Sequence, residues 1–153
     1  MKNWIYTLLS YLIILSVIIL VFKLYKWHAI VEIDPNDHSM EPDYKYGSYN
    51  LDTSAVRVEQ LPLGSAVAYY LPGNSTNPKV AYVVAIEGQR VAVRAGKVLV
   101  NDTPFEPAIS GLAESTPEYV VPRGCAVLMA KFAGEDSIKF GPFPMRNIIG
   151  RLK

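Results

Sequence analysis

"VVAIEGQRVAVRAGKVLVNDTPF", Val83 to Phe105, is the stretch that decides the fold. Valine alternates with other residues through "RVAVR" and again through "KVLV", which is the two-residue period of a strand with one buried face. "AG" separates the two runs, and a short Gly-containing link between alternating runs marks a β-hairpin. Just upstream, "VAYVVAI", Val80 to Ile86, is a continuous apolar run closed by "EGQ". A run of that length bounded by a glycine turn fits a strand.

The same grammar repeats outward. "AIVEI" (29–33), "SYNLD" (48–52), "SAVAYYL" (65–71), "CAVLMAKF" (125–132) and "NIIGRL" (147–152) are rich in Val, Ile and Tyr, and Gly, Pro, Asn or Asp separate them. Residues 29–153 hold no heptad, no internal repeat and no helical period over ten residues. A mainly β domain follows, a compact antiparallel barrel or sandwich. "PGNSTNP", Pro72 to Pro78, is a turn-rich loop between two strands. Its Asn74-Ser-Thr fits a glycosylation acceptor in form, but nothing else in the chain points to that modification. "EPAISGLAESTPEYVVPRG", from Glu106, reads as a long irregular loop of the kind that often carries function.

Before the β region stands "WIYTLLSYLIILSVIILVF", Trp4 to Phe22, without a charged residue. At about 1.5 Å per residue such a helix spans a bilayer core of about 30 Å. A cleaved signal peptide has a shorter apolar stretch and a small-x-small site after it, whereas "FKLYKWHAIVEI" follows here. Trp4, Tyr6, Tyr25 and Trp27 bracket the span, as interfacial aromatic residues do, and His28 reads as one more interfacial residue. The expected organisation is a membrane anchor with its juxtamembrane segment at 1–28 and a β domain at 29–153, with the lipid bilayer as a partner. Lys2 precedes the span and Lys23 and Lys26 follow it, so charge assigns no orientation.

The 15 Lys and Arg balance 14 Asp and Glu, which argues against nucleic acid as a partner, since phosphate binding needs a clustered basic surface. Cys125 is the only cysteine, so no internal disulfide forms, and its place in "CAVLMA" predicts a buried, inert thiol. No Cys/His spacing fits zinc, and no metal or cofactor is expected.

One polar stretch stands apart: "DHSMEPDYKYGS", Asp37 to Ser48. Ser39 before Met-x-Pro is either part of an ordinary tight loop or a presented nucleophile. A serine hydroxyl attacks only when a positioned base takes its proton. His38 is its neighbour, but adjacent residues in extended chain face opposite ways, so His38 is expected to be an exposed loop residue.

"SMEPDYKYG" resembles the nucleophile loop of the signal peptidase I family of serine endopeptidases. Three further blocks resemble that family in the same order: "VVAIEGQRVAVRAGKVLVNDTPF", "VPRGCAVLM" and "DSIKFGPFPMRNIIGRL". Together they cover most of residues 31–152. Repressor-cleaving peptidases share the Ser-Met-x-Pro loop but carry a DNA-binding domain where this chain has an apolar helix. The resemblance implies that Ser39 is the nucleophile, with its backbone N–H as an oxyanion donor, and that Met40 and Pro42 shape its loop. It implies that Ala81 and Val83 belong to the substrate-binding strand, whose pockets accept small side chains, and that Asp136 and Ser137 support the site.

The family's base is a neutral lysine seven residues before the glycine of a Pro-Gly-Asp turn. Counting back from Gly88 gives Ala81, and Tyr82 replaces the arginine that usually follows. Lys79 stands two residues upstream, on the same strand face and about 6.6–6.8 Å away, and is the candidate base. Gly134 occupies a position where a serine often supports the lysine, and Ile138 replaces an arginine. Asp37 stands where some relatives place a donating serine; its carboxylate would oppose an oxyanion and would instead hold Lys79 or His38.

Two functions follow from the resemblance. One is a single-pass cell-membrane serine endopeptidase, its β domain on the extracytoplasmic side, that removes signal peptides from exported precursors. The alternative is a catalytically inactive relative that binds exported polypeptides as an accessory or assembly factor, beside an active peptidase or secretion machinery.

Overall fold

A computed structural model describes residues 2–26, 29–54, 56, 61–113, 115–132 and 134–153. The uncharged run forms helix α1, Lys2–Lys26. Its stretch Tyr6–Lys23 has a mean hydropathy of 2.2 and is long and apolar enough to cross a membrane. Between Tyr6 and Lys23 its Leu, Ile and Val side chains project outward all around it, with none of the described residues burying them. Its two serines return their hydroxyls to the helix backbone, Ser10 to Tyr6 O at 2.9 Å and Ser16 to Ile13 O at 2.8 Å, which hides polarity that hydrocarbon would penalise. Trp27, His28 and the side chain of Tyr25 lie outside the described residues.

The remainder is mainly β. Strands β1 (Ala29–Ile33), β2 (Gly47–Asp52), β3 (Ala66–Tyr69), β4 (Lys79–Ile86), β5 (Arg90–Arg94), β6 (Lys97–Val100), β7 (Thr103–Pro104), β8 (Ser115–Val120), β9 (Cys125–Met129), β10 (Phe143–Pro144) and β11 (Ile148–Leu152) follow one another. They form two curled antiparallel sheets, ordered β1-β2-β11-β3-β4-β9-β10 and β7-β6-β5-β8. Each apolar run read from the sequence contains a strand. The hairpin is present, with Arg94 opposite Lys97 and the turn at Ala95 and Gly96. Both turn residues have positive φ, 50° and 69°, as a two-residue hairpin turn of matching twist requires.

The stretch from Glu106 departs from expectation. It contains β8, which pairs with β5 as an edge strand. Pro117 and a mostly exposed face disguised it, because an edge strand needs neither every N–H nor an apolar alternation. Helix α2, Ser137–Phe140, is a single turn capped by Asp136. Cys125 is half-buried at the start of β9 rather than fully enclosed, since the deep positions begin at Ala126.

Strand alternation distributes β4 between two cores. Val80 and Tyr82 face a cluster with Val31, Met40, Leu51 and Ala130 inside the curl of the larger sheet. Ala81 and Val83 face the opposite cluster, with Tyr69, Leu128 and Phe143. This double burial is why "VAYVVAI" is continuously apolar. A third cluster joins Val84 and Val127 to Val91, Val93, Val98 and Val100 and so packs the smaller sheet against the larger.

Candidate active site

Between β1 and β2 the chain turns through the Ser39 loop. Asp34 opens it by accepting the Asn36 N–H at 2.8 Å and, through its carbonyl, the Asp37 N–H at 2.9 Å. Met40 anchors the loop at 2% exposure in the larger core, leaving Ser39 half-buried at the surface of that plug and Pro42 exposed. β3 pairs with β4 so that Tyr69 lies opposite Lys79. Lys79 is therefore the first residue of β4, at the sheet margin, where a long side chain reaches the loop.

Asp37, Ser39, Tyr69, Lys79, Ala130, Gly134 and Glu135 line one cavity of about 170 Å³. Lys79 Nζ donates to Asp37 Oδ2 at 2.9 Å and lies 3.9 Å from Glu135 Oε2. Asp37 Oδ1 accepts the Ser39 N–H at 3.1 Å. Burial opposes ionisation of Asp37, but hydrogen bonds from the Ser39 side chain and Lys79, the Ser39 N–H and the lysine charge outweigh it, so its pKa is lowered. One carboxylate thus touches both residues read as the catalytic pair. The N–H expected to stabilise an oxyanion is occupied by that carboxylate, so the donor is not free in this state.

Of the two partners weighed for Asp37, the structure brings it to Lys79. His38 is exposed, with Nδ1 3.1 Å from Glu41 Oε1. Ala81 and Val83 are fully buried in the core and do not line the cavity, because their strand face is sealed by Tyr69, Leu128 and Phe143. Asp136 is fully buried, and its oxygens accept the Ala130 N–H at 3.0 Å and the Ile138 N–H at 2.9 Å. Burial raises its pKa against these hydrogen bonds. Ser137 Oγ accepts the Leu128 N–H at 2.8 Å. Both residues therefore knot the end of β9 to α2 behind the cavity.

Sequence reading missed Tyr69 and Glu135. The Tyr69 hydroxyl donates to Glu135 O at 2.7 Å, which holds the acidic rim over Lys79. Neither residue sits in a motif that marks it. A second depression, about 340 Å³, runs along residues 30–35 of the β1 region and 76–78, and thus between the chain entering the Ser39 loop and the chain entering Lys79. β1 ends its sheet, so one of its edges is unpaired among the described strands. Among the described residues no cluster of His, Cys, Asp and Glu is arranged to hold a metal.

A family profile described as "Signal peptidase, peptidase S26" matches residues 1–153. Comparison with curated proteins finds no match. Among solved structures, the chain is similar to the crystal structure of a signal peptidase I from Enterococcus faecalis V583. The two are 16% identical with a TM-score of 0.49, over 60% of this chain and 96% of that one.

Proposed function

The chain belongs to the signal peptidase family, peptidase S26, and on that premise we propose that it is a membrane-anchored serine endopeptidase removing signal peptides from exported precursors. Ser39 is the nucleophile and Lys79 the general base. The observation that carries this reading is the shared cavity, in which Ser39 and Lys79 meet through Asp37.

The precursor lies extended in the depression beside β1, adding backbone hydrogen bonds to the unpaired edge. That depression leads along both of its walls toward Ser39 and Lys79. The form that acts as base is the neutral Lys79 amine, released from Asp37 with its proton carried off by the water that the peptide displaces. Ser39 Oγ then attacks the scissile carbonyl carbon while its proton passes to Lys79 Nζ. The C–N bond breaks, Lys79 returns the proton to the leaving amine, and water hydrolyses the resulting ester by the same route. α1 holds the domain at the bilayer, and the β domain works on the extracytoplasmic side, where exported precursors emerge.

A second reading has its own support. Ala81 fills the family's lysine position, and Asp37 occupies the Ser39 N–H, which together suit an inactive relative that binds exported polypeptides. Cleavage of a signal-bearing precursor by the lipid-reconstituted protein separates the two. The peptidase reading expects cleavage by the parent and none by Ser39→Ala or Lys79→Ala. Loss in the serine variant alone would move the base elsewhere. Binding without any cleavage would establish the inactive relative.

A further inference from the structure

The Ser39 loop carries a second carboxylate, Asp43, that is gripped from two elements. Its Oδ1 accepts from Lys131 Nζ at 2.7 Å, and its Oδ2 accepts from the Tyr82 hydroxyl at 2.5 Å. Tyr82 belongs to β4 and pairs with Met129, while Lys131 lies two residues past the end of β9. The backbone between these anchors also holds the loop. The Lys131 N–H points to Met40 Sδ at 3.4 Å, and the Phe132 N–H donates to Ser39 O at 2.9 Å. Ser110 N–H donates to Lys131 O at 2.7 Å and braces that segment from behind.

We propose that Tyr82, Asp43 and Lys131 form a clamp that positions Ser39. This rests on the reading of Ser39 as the nucleophile. None of the three residues lines the Ser39 cavity, so they are positioning residues that act through the loop. Within the loop, Tyr44 N–H donates to Met40 O at 3.0 Å, which passes the restraint at Asp43 to the residue following Ser39. The Tyr44 ring meets the Tyr82 ring edge-on at 6.4 Å, so the same tyrosine holds the loop by packing and by its hydroxyl. A lone surface ion pair would restrain little, because water screens it and long side chains resist ordering. Here a neutral hydroxyl and an ammonium take separate oxygens of one carboxylate, which fixes the direction of that carboxylate as well as its distance. Tyr82 stands where the family usually has arginine, and in this chain that position of the base strand reaches the nucleophile loop.

The test uses the full chain in lipid, with amide exchange as the primary readout and precursor cleavage as the second. Tyr82→Phe removes one oxygen and keeps the buried ring; Asp43→Asn keeps the shape and removes the charge; Lys131→Arg keeps a cation. Expected are about tenfold faster exchange at the Tyr44 and Phe132 amides in the first two variants, the size of effect one hydrogen bond supports. Their kcat should fall by a similar factor with KM little changed, and Lys131→Arg should keep both near the parent. Unchanged exchange at those amides overturns the clamp, and so does faster exchange that extends equally to the β5–β6 hairpin. If exchange rises but kcat holds in a cleaving parent, the clamp does not position Ser39, and the proposal fails. A parent that does not cleave sinks the peptidase reading and, with it, a role in catalysis.

Discussion

Asp37 and Lys79, 42 residues apart in the chain, meet as an ion pair of 2.9 Å in the cavity that holds Ser39. For Ser39 and Lys79 read as nucleophile and base, the geometry is that of a latched site. The ammonium has no lone pair to take the Ser39 proton, and the other oxygen of Asp37 occupies the Ser39 N–H. A carboxylate in that place does the opposite of an oxyanion donor.

Replacing Asp37 should therefore release activity rather than abolish it. Asp37→Ser removes the negative charge and supplies a hydroxyl donor. Its kcat on a signal-bearing precursor is expected to rise about tenfold, equivalent to about 1.4 kcal/mol of barrier. A fall to the level of Ser39→Ala would mean that the carboxylate takes part in the chemistry.

The ion pair also sets a pH dependence. The folded pKa of Asp37 lies below its ordinary 3.8. Its contribution to stability is therefore complete above that value and is lost as pH falls below it and through the lowered folded pKa. Asp136 works in the other sense, because its raised pKa means that acid relieves a cost of burial. Thermal unfolding of the parent and Asp37→Asn across this acid range isolates the first effect. The parent's advantage should be constant at neutral pH and shrink in acid; an advantage that grows in acid would contradict the pairing.

Asp136 should matter for stability before it matters for chemistry. Asp136→Ala leaves the buried Ala130 N–H without its acceptor and, by freeing the part-buried Ile138 N–H, uncaps α2. The two lost hydrogen bonds, one of which is the cap, together cost about 2–3 kcal/mol. Denaturant unfolding measures this, and a loss below about 0.5 kcal/mol, the scatter of ordinary surface substitutions, would contradict the buried role.

The hairpin offers a stabilising change. Ala95 holds a φ of 50°, a left-handed conformation that a Cβ disfavours, beside Gly96. Ala95→Asn creates the Asn-Gly pair that such turns prefer and should add about 0.5–1 kcal/mol. The midpoint of thermal unfolding should rise by about 2–4 °C. A lower midpoint would show that the turn tolerates alanine without strain.

Much of the architecture was legible in the residues themselves. Alternating valines and the "AG" turn specify the β5–β6 hairpin because strand period and turn chemistry are local properties. The uncharged run of α1 is legible for the same reason, since a bilayer reads hydropathy along a single segment. β8 was not legible, because Pro117 and an exposed edge position remove both local signals. The Ser39 loop was likewise visible as a motif, and Lys79 as a displaced candidate.

The partners of those residues were decided by tertiary structure. Asp37 with Lys79, Asp43 with Tyr82 and Asp43 with Lys131 join positions 42, 39 and 88 residues apart. No spacing encodes such pairs. They depend on the Tyr69–Lys79 register, which brings a lysine to the sheet margin, and on the curl that seats Met40 in the core. Burial also separates Lys79 from Ala81, two residues along one strand face, the first at the cavity and the second sealed beneath Tyr69 and Phe143. Sequence determines which segments can form strands and cross a bilayer; the closure of the sheets determines which charges lose water together, and so what their chemistry can be.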